Sequence, residues 1–408
     1  MTETACRSCG GPRLSPILSL GALPLANALP SPEAAESTDP RYPLDLVFCE
    51  ACSLVQITET VSPEVLFRDY LYFSSFSDTF VSRAKALAGR LVVERGLTAK
   101  SLVVEIASND GYLLQHYVAA EIPVLGIEPA ENVAAVAREK GVPTRADFFS
   151  KETADRLKSE GNLADVVHAN NVLAHVADLN GFVSGIAVIL KESGVAVIEM
   201  PYVLDMVDRC EFDTIYHEHL CYFSLKALTG LFGRHGLTIE KVERLPVHGG
   251  SLRLFIRHAA SALSDESVDR LRQEESTRDA DRFPFYAAFG GKVARLKTDL
   301  VDLLRRLRRE GKTIAAYGAA AKGTVLLNYF GIGTDLVSFV VDLNPHKQGR
   351  VVPGVRIPIR GAEGLLAAQP DYVLLLVWNL ADEIFRQQAE YRSRGGRFIV
   401  PIPAVQIL

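Results

Sequence analysis

The stretch Ser101-Leu102-Val103-Val104-Glu105-Ile106, running straight into Ala107-Ser108-Asn109-Asp110-Gly111, decides how this chain is read. Its aliphatic and β-branched residues predict a buried strand, and the small polar residues after it predict a tight turn. Tyr112 to Ala120 then reads as helical. Strand, small-residue turn and helix form the unit by which a doubly wound sheet presents a ligand at the carboxyl end of its first strand. The next strand, Val124 to Ile127, ends at Glu128-Pro129. That acid, about 20 residues past the turn, is placed to accept hydrogen bonds from a ribose diol.

Outward from this unit the alternation continues. A helix is expected through Asn132 to Lys140, a strand over Asp165 to Ala169, a loop Asn170-Asn171-Val172-Leu173-Ala174-His175-Val176, a helix through Phe182 to Leu190 and a strand over Val195 to Glu199. The fold class is therefore α/β with a mostly parallel sheet. Upstream, Phe80, Ala84, Leu87 and Leu91 recur at helical spacing within Thr79 to Arg95, after an aromatic, hydroxyl-rich connector from Asp69 to Ser77. Downstream, the polar block Leu263 to Asp281 marks a boundary or an exposed helical surface. Phe289, Val293, Leu296, Leu300, Leu303, Leu304 and Leu307 then line one side of an amphipathic helix, with Arg305, Arg306, Arg308 and Arg309 on its solvated side. A second strand, turn and helix follow: Thr313 to Tyr317, Gly318-Ala319-Ala320-Ala321-Lys322-Gly323, and Thr324 to Phe330. The strand Val337 to Val341 ends at Asp342, again an acid, and Tyr372 to Val377 and Arg397 to Val400 are further strands. Two Rossmann-like halves in one chain suggest two ligands that meet between them.

The first turn narrows its ligand. It has one glycine, Gly111, where a dehydrogenase turn carries extra glycines that let the backbone approach a pyrophosphate. S-adenosylmethionine carries no phosphate, and its amino-acid end and ribose suit an acid-bearing turn followed by Glu128. A Rossmann-like domain with no cofactor is the bland alternative.

Size and charge bound the rest. The 408 residues suffice for two or three domains, and 44 Lys plus Arg against 49 Asp plus Glu give a net charge of −5. No global basic field is present to hold a nucleic-acid backbone or an anionic membrane. Apolar runs such as Val373 to Trp378 fall far short of the roughly 20 residues that span a bilayer, and Met1-Thr2-Glu3-Thr4 opens no signal peptide. A cytoplasmic protein, monomer or homodimer, is expected.

Four cysteines stand as Cys6-Arg7-Ser8-Cys9 and Cys49-Glu50-Ala51-Cys52. Two such pairs present four thiolates in the spacing of a zinc-ribbon site. A cytosolic chain disfavours disulfides, and neither pair sits at the strand-to-helix junction of a redox unit. Four Cys ligands leave no open position for water, so the zinc is expected to be structural. It would staple a segment whose loop, Pro30 to Pro43, is too irregular to bury a core alone. Cys210 and Cys221 read as packing residues.

The densest polar cluster is Phe212-Asp213-Thr214-Ile215-Tyr216-His217-Glu218-His219-Leu220-Cys221-Tyr222-Phe223-Ser224. His217-Glu218-His219 could ligate a metal but lacks the HExxH spacing that puts two imidazoles on one helical face. The two histidines could equally alternate as ordinary strand or loop residues. Tyr, His and Glu together also suit proton abstraction beside a ketone, with phenol or imidazole N–H groups stabilising the enolate oxygen.

Taken in order, these landmarks resemble the S-adenosylmethionine-dependent sugar C-methyltransferases of deoxysugar biosynthesis, over essentially the whole chain. The residues that carry the resemblance are Cys6, Cys9, Cys49 and Cys52, Tyr70 to Ser75, Glu105 to Leu114, Gly126 to Pro129, Asn170 to Val176, Tyr216 to His219, His248 to Ser251, and Gly318 to Gly323. The resemblance implies a zinc-binding module over residues 1–75, a class I methyltransferase domain over 76–258, and a Rossmann-like C-terminal domain over 259–408. It implies a TDP-linked 6-deoxy keto-sugar bound between the last two. His219 would then be the base, Glu218 would position it, and Tyr216, His175 and Tyr70 would line the pocket near the keto oxygen. Glu105, Ala107, Asn109, Asp110, Gly111, Tyr112, Leu113, Glu128, Pro129, Asn170 and Asn171 would hold the cofactor. Tyr72, Ser74, Tyr222, His248 and Gly249 would touch substrate, and Gly318, Ala319, Lys322 and Gly323 would seat its pyrophosphate, with Lys347 and Asn379 beside them. That last loop could equally be a structural turn of a duplicated fold. Two rivals are a non-catalytic nucleotide-sugar or S-adenosylmethionine sensor, and an NAD-dependent keto-sugar dehydrogenase or epimerase.

Overall fold

The structure is a computed structural model that describes residues 3–31, 33, 38–67, 73–76, 78–247, 249–263 and 265–408. The two CxxC pairs open and close an antiparallel hairpin. β1 (Leu14–Pro24) pairs with β2 (Arg41–Cys49), and β2 pairs with β3 (Val55–Ile57) just beyond Cys52. The fourth strand of this sheet comes from the densest polar cluster far down the chain, as described below.

The central sheet starts where the sequence placed it. β4 (Val103–Ile106) is two residues shorter than the apolar run and fully buried, and β5 (Val124–Ile127) has the expected bounds. β6 (Thr144–Arg145), β7 (Ala164–Asn170) and β8 (Leu190–Pro201) follow. β9 (Cys221–Tyr222) leaves this sheet and pairs antiparallel with β3, Gln56 opposite Cys221 and Val55 opposite Tyr222. β10 (Leu237–Leu245) and β11 (Ser251–His258) are an antiparallel pair that returns to the central sheet. Its order is β10-β11-β8-β7-β4-β5-β6, with β11 antiparallel to β8 and the strands from β8 to β6 parallel. Strand order reverses between β4 and β7, so the crevice at their carboxyl ends is the topological switch point where open α/β sheets bind ligands. Helices cover both faces, which is why Val166, Val167, Ala196, Val197 and Ile198 form continuous apolar runs with no exposed surface.

The C-terminal sheet repeats the plan with β12 (Ile314–Tyr317), β13 (Val340–Val341), β14 (Ile359–Arg360), β15 (Tyr372–Leu375), β16 (Arg397–Val400) and β17 (Gln406–Ile407). Its order is β14-β13-β12-β15-β16-β17, parallel except for the last pair. The polar block resolves as a helix over Glu266–Thr277 that turns Val268, Leu271 and Glu275 inward. Buried Glu275 accepts hydrogen bonds from the Tyr202 hydroxyl and the Leu225 and Lys226 amides, which offset the cost of its burial. In the long helix Phe289–Arg309, seven residues are buried, while Arg305, Arg306, Arg308 and Arg309 are exposed as expected. The last three sit in the final turn, where cations favour the helix dipole.

The N-terminal module is wedged between the two larger parts. Asn180 Nδ2 donates to the Ser8 carbonyl at 3.0 Å, and Thr324 Oγ1 to the Ala26 carbonyl at 3.0 Å. Asp39 accepts from the Gly354 amide and pairs with Arg356 at 3.0 Å. No helix among the described residues is long and apolar enough to cross a membrane.

Candidate active site

The turn after β4 takes positive φ at three positions, which asparagine and glycine accept readily and alanine only with strain. Ala107, Asn109 and Gly111 lie at φ of 54°, 50° and 76°. At Gly111 a β-carbon would also press on Val142 at 3.0 Å, so glycine is required there for two reasons. Glu128 closes the turn from β5, its Oε2 accepting from the Asn109 amide and its Oε1 from the Ala130 amide, both at 2.9 Å. A carboxylate has about four acceptor positions, so two remain for a diol. Burial raises the Glu128 carboxyl. Glu105, fully buried beneath, is pushed well above the usual range by desolvation and then by Glu128 and Asp110. Leu113 anchors the turn from below with no exposed surface, Tyr112 is also buried, and Pro129 is half-buried. The following helix spans Leu114–Val118, shorter than the Tyr112 to Ala120 expected.

Around this turn four buried polar atoms lack a hydrogen-bond partner: Glu105 Oε2, Asp110 Oδ1, Ser108 Oγ and Asn170 Oδ1. Orphaned buried acceptors are costly and rare in folded proteins. Acceptor-rich and partly anionic, they fit a ligand with a sulfonium, an ammonium group and a ribose diol. Asn170 ends β7 across the switch point, its Nδ2 3.4 Å from the Tyr112 hydroxyl. Asn171, at φ 54°, donates its amide to the Glu199 carbonyl.

The connector docks on the same turn. Ser74 donates its amide to Asn109 Oδ1 at 2.8 Å, and Ser75 Oγ bonds Asp110. Lys140 Nζ joins Asp110 Oδ2 at 2.9 Å and Ser75 Oγ at 3.1 Å, while the Phe73 ring lies 6.2 Å from that of His346 in the C-terminal part. Tyr70, Tyr72 and His248 lie outside the described residues.

The Tyr-His-Glu-His cluster follows a single turn of 3-10 helix over Phe212–Thr214. His219 Nδ1 donates to the Thr214 carbonyl at 2.9 Å, which leaves Nε2 as the acceptor facing the Tyr216 hydroxyl at 2.8 Å. His175 meets the His219 ring edge-on, centroids 4.8 Å apart, and burial lowers its imidazole to about 4, so it stays neutral. Tyr222 lies against His219 from another side, centroids 6.4 Å apart. His217 points the opposite way, Nε2 3.2 Å from the Tyr42 carbonyl, so the two histidines alternate and do not converge on one ion. The Glu218 carboxyl, pushed up to about 7 by burial, accepts from Asn27 Nδ2 at 2.7 Å. The contact that orients the His219 ring therefore comes from the Thr214 main chain. Asp213 accepts from Trp378 Nε1 at 2.8 Å, so the cluster is gripped by both flanking parts of the chain.

In the C-terminal half, Gly318 adopts φ 93°, and Asp342 Oδ2 accepts the Ala319 amide at 2.8 Å, the same relation that joins Glu128 to Asn109. Lys347 Nζ reaches the Ala319 carbonyl at 3.0 Å. Lys322 Nζ donates to Asn379 Oδ1 at 2.9 Å and lies 4.5 Å above the Trp378 ring. Burial lowers its ammonium, and Asp213 and Glu211 raise it in turn. Gly323 packs against Leu376.

The four cysteine sulfurs lie within 4.8 Å of one another, with Cys6–Cys52 at 3.5 Å and Cys9–Cys49 at 3.6 Å. These are non-bonded distances near the roughly 3.8 Å edge of a tetrahedron with Zn–S bonds of about 2.3 Å. The set fits structural zinc. Sequence reasoning missed Thr214, Asn27, Lys140 and Asp213, because each acts through a contact between distant segments or through a main-chain atom that no spacing marks.

A switch-point turn with orphaned acceptors and a tyrosine–histidine pair in one chain are the parts that an S-adenosylmethionine-dependent methyltransferase needs. Comparison with known families agrees part by part. Residues 6–67 match a zinc binding domain, 80–242 a methyltransferase domain and 246–403 a C-methyltransferase C-terminal domain. The C-methyltransferase NovU of Streptomyces niveus is 36% identical over 407 residues, covering 99% of this chain and 96% of that protein. The chain belongs to this family of C-methyltransferases. Among solved structures, magnesium protoporphyrin IX methyltransferase of Synechocystis PCC 6803 with bound SAM matches at 14% identity, 43% of this chain, 79% of that chain and a TM-score of 0.33, a likeness too slight to carry weight.

Proposed function

We propose that this protein removes the proton from the carbon beside the ketone of a TDP-linked 6-deoxy keto-sugar and directs methylation of the resulting enolate, giving a branched deoxysugar. The observation that carries this reading is the fixed state of His219: Nδ1–H is committed to the Thr214 carbonyl, so the lone pair sits on Nε2. A carbon bearing hydrogen is not nucleophilic until deprotonated, and an adjacent ketone makes its proton removable by imidazole. Tyr216, bonded to that nitrogen, can turn its hydroxyl to the developing enolate oxygen. S-adenosylmethionine, when bound, supplies the electrophilic methyl group. Glu128 and the Asn109-Asp110-Gly111 turn hold and orient the cofactor against the sugar, and orientation supplies much of the rate. Lys322 and the Gly318 to Gly323 loop are assigned to the diphosphate, with Lys347 and Asn379 beside them. Incubation with methyl-labelled S-adenosylmethionine and a panel of TDP-keto-sugars tests the proposal. Label on a ring carbon next to the ketone supports it, and label on oxygen, or none on any sugar, overturns it.

A further inference from the structure

A small cavity beside His219 has room for about one water-sized group and a second polar wall. Glu211 lines it together with Tyr202, Met206 and Thr214. Its side chain is buried, and Oε1 has no hydrogen-bond partner. The carboxyl group is seated on the backbone of Gly249, where a β-carbon would come within 2.2 Å of Oε2 and 2.3 Å of Oε1, so it has no room to retreat on that side. The cations around it are engaged elsewhere. Lys322 donates to Asn379, Arg209 to the Gly249 carbonyl, and Arg244 to Asp205 at 2.6 Å and Glu274 at 2.9 Å. Desolvation accordingly pushes the Glu211 carboxyl up to about 8, with Lys322 and Arg209 pulling down and Asp213 and Asp205 pushing up. Among the described residues the Glu211 side chain has no hydrogen bond or ion pair, and the residue supports the chain through its main-chain amide and carbonyl, bonded to Met206 and Thr214.

We propose that Glu211 is a specificity-determining residue whose Oε1 accepts a hydrogen bond from a hydroxyl or amino substituent on the sugar ring held against His219. An unpartnered acceptor at a pocket wall discriminates strongly, because a substrate without the donor leaves it unpaired. The inference rests on the keto-sugar reading above.

The test uses matched TDP-keto-sugars that differ at one ring position, carrying hydroxyl, amino or hydrogen. For the wild type, kcat/KM should favour a donor-bearing sugar by about 10- to 100-fold over its deoxygenated counterpart, the cost of leaving one buried acceptor unpaired. Glu211→Leu should bring the ratio to within about threefold, mainly through KM, with Tm and S-adenosylhomocysteine affinity unchanged, and Glu211→Gln should restore part of it through its amide oxygen. Preference for hydroxyl or for amino identifies the donor. A Glu211→Leu variant that loses activity equally on all three sugars, or keeps the wild-type ratio, overturns the assignment. If Glu211→Leu is destabilised, the comparison is made on Glu211→Gln, which must lower the ratio at unchanged Tm. A wild type that methylates the sugars without discrimination sinks the role of Glu211 alone, and one that methylates none sinks the keto-sugar reading with it.

Discussion

The Tyr216 hydroxyl lies 2.8 Å from Nε2 of His219, with the two ring centroids 4.0 Å apart. Because Nδ1 is tied to Thr214, this hydroxyl occupies the His219 nitrogen that can take a proton, and substrate must share or displace it. His219→Asn should therefore abolish both methyl transfer and exchange of the sugar α-proton with deuterated solvent, while both ligands still bind. Exchange at the normal rate would assign the base elsewhere, with Glu218 or His175 next in line. Tyr216→Phe should be milder, on the order of 10²-fold in kcat, the usual loss for one oxyanion donor.

Glu128 caps the Asn109 and Ala130 amides, and the proposed function also assigns it the cofactor ribose. Glu128→Ala should weaken S-adenosylhomocysteine binding in calorimetry by at least about tenfold, because two buried donors are orphaned and the acceptor is lost. Nucleotide-sugar affinity should stay nearly intact. Unchanged cofactor affinity would move that site.

His168 gives a clean pH signature away from the reacting groups. Desolvation, and next Arg253, lower its imidazole to about 3, and its Nε2 pairs with the Tyr117 hydroxyl at 2.9 Å. The unfolded chain takes a proton near pH 6.5 and the folded chain does not, so the stabilisation is whole above that pH and is lost on acidification, about 1.4 kcal/mol per unit between pH 6.5 and 3. Urea unfolding of the wild type and His168→Asn should show a stability difference that is largest at pH 7 and shrinks towards pH 4. A difference independent of pH would refute this account.

Zinc should be found at one ion per chain in carefully prepared protein, and Cys49→Ser should reduce its retention. Chelation should loosen the N-terminal sheet, seen as faster amide exchange at Val55 and Tyr222, before the central sheet around β4 responds. Metal held as tightly by Cys49→Ser as by the wild type would contradict the four-thiolate set.

The elements set by local pattern were legible in the sequence. β5 and β16 have the expected bounds, and the helix over Asp78–Glu94 buries Ala84, Leu87 and Leu91 as the spacing demands. Strand lengths were overread where apolar residues continue past the ladder, as in β13, which holds only Val340 and Val341. The site was legible as a set of residue types but not as contacts. Nothing in the run Leu23 to Asn27 marks Asn27 as the partner of Glu218, because the meeting depends on how the first module lies against the rest. A main-chain acceptor such as the Thr214 carbonyl carries no residue-type signal at all. Glu211 was passed over for a related reason: one acid beside an aromatic run looks ordinary until its burial is known.

The pairing of β9 with β3 also orders events in time. As the chain leaves the ribosome, β1 to β3 emerge first, and β3 keeps an open edge until β4 to β8 have been made and Cys221-Tyr222 arrives to cover it. An uncovered strand edge invites pairing with another chain, so nascent protein is most exposed to aggregation during that interval. A version of the gene cut before residue 221 would leave the edge bare for good. The two residues that close it follow His219 by a single leucine, so completing the first sheet and setting His219 in place are one step of synthesis.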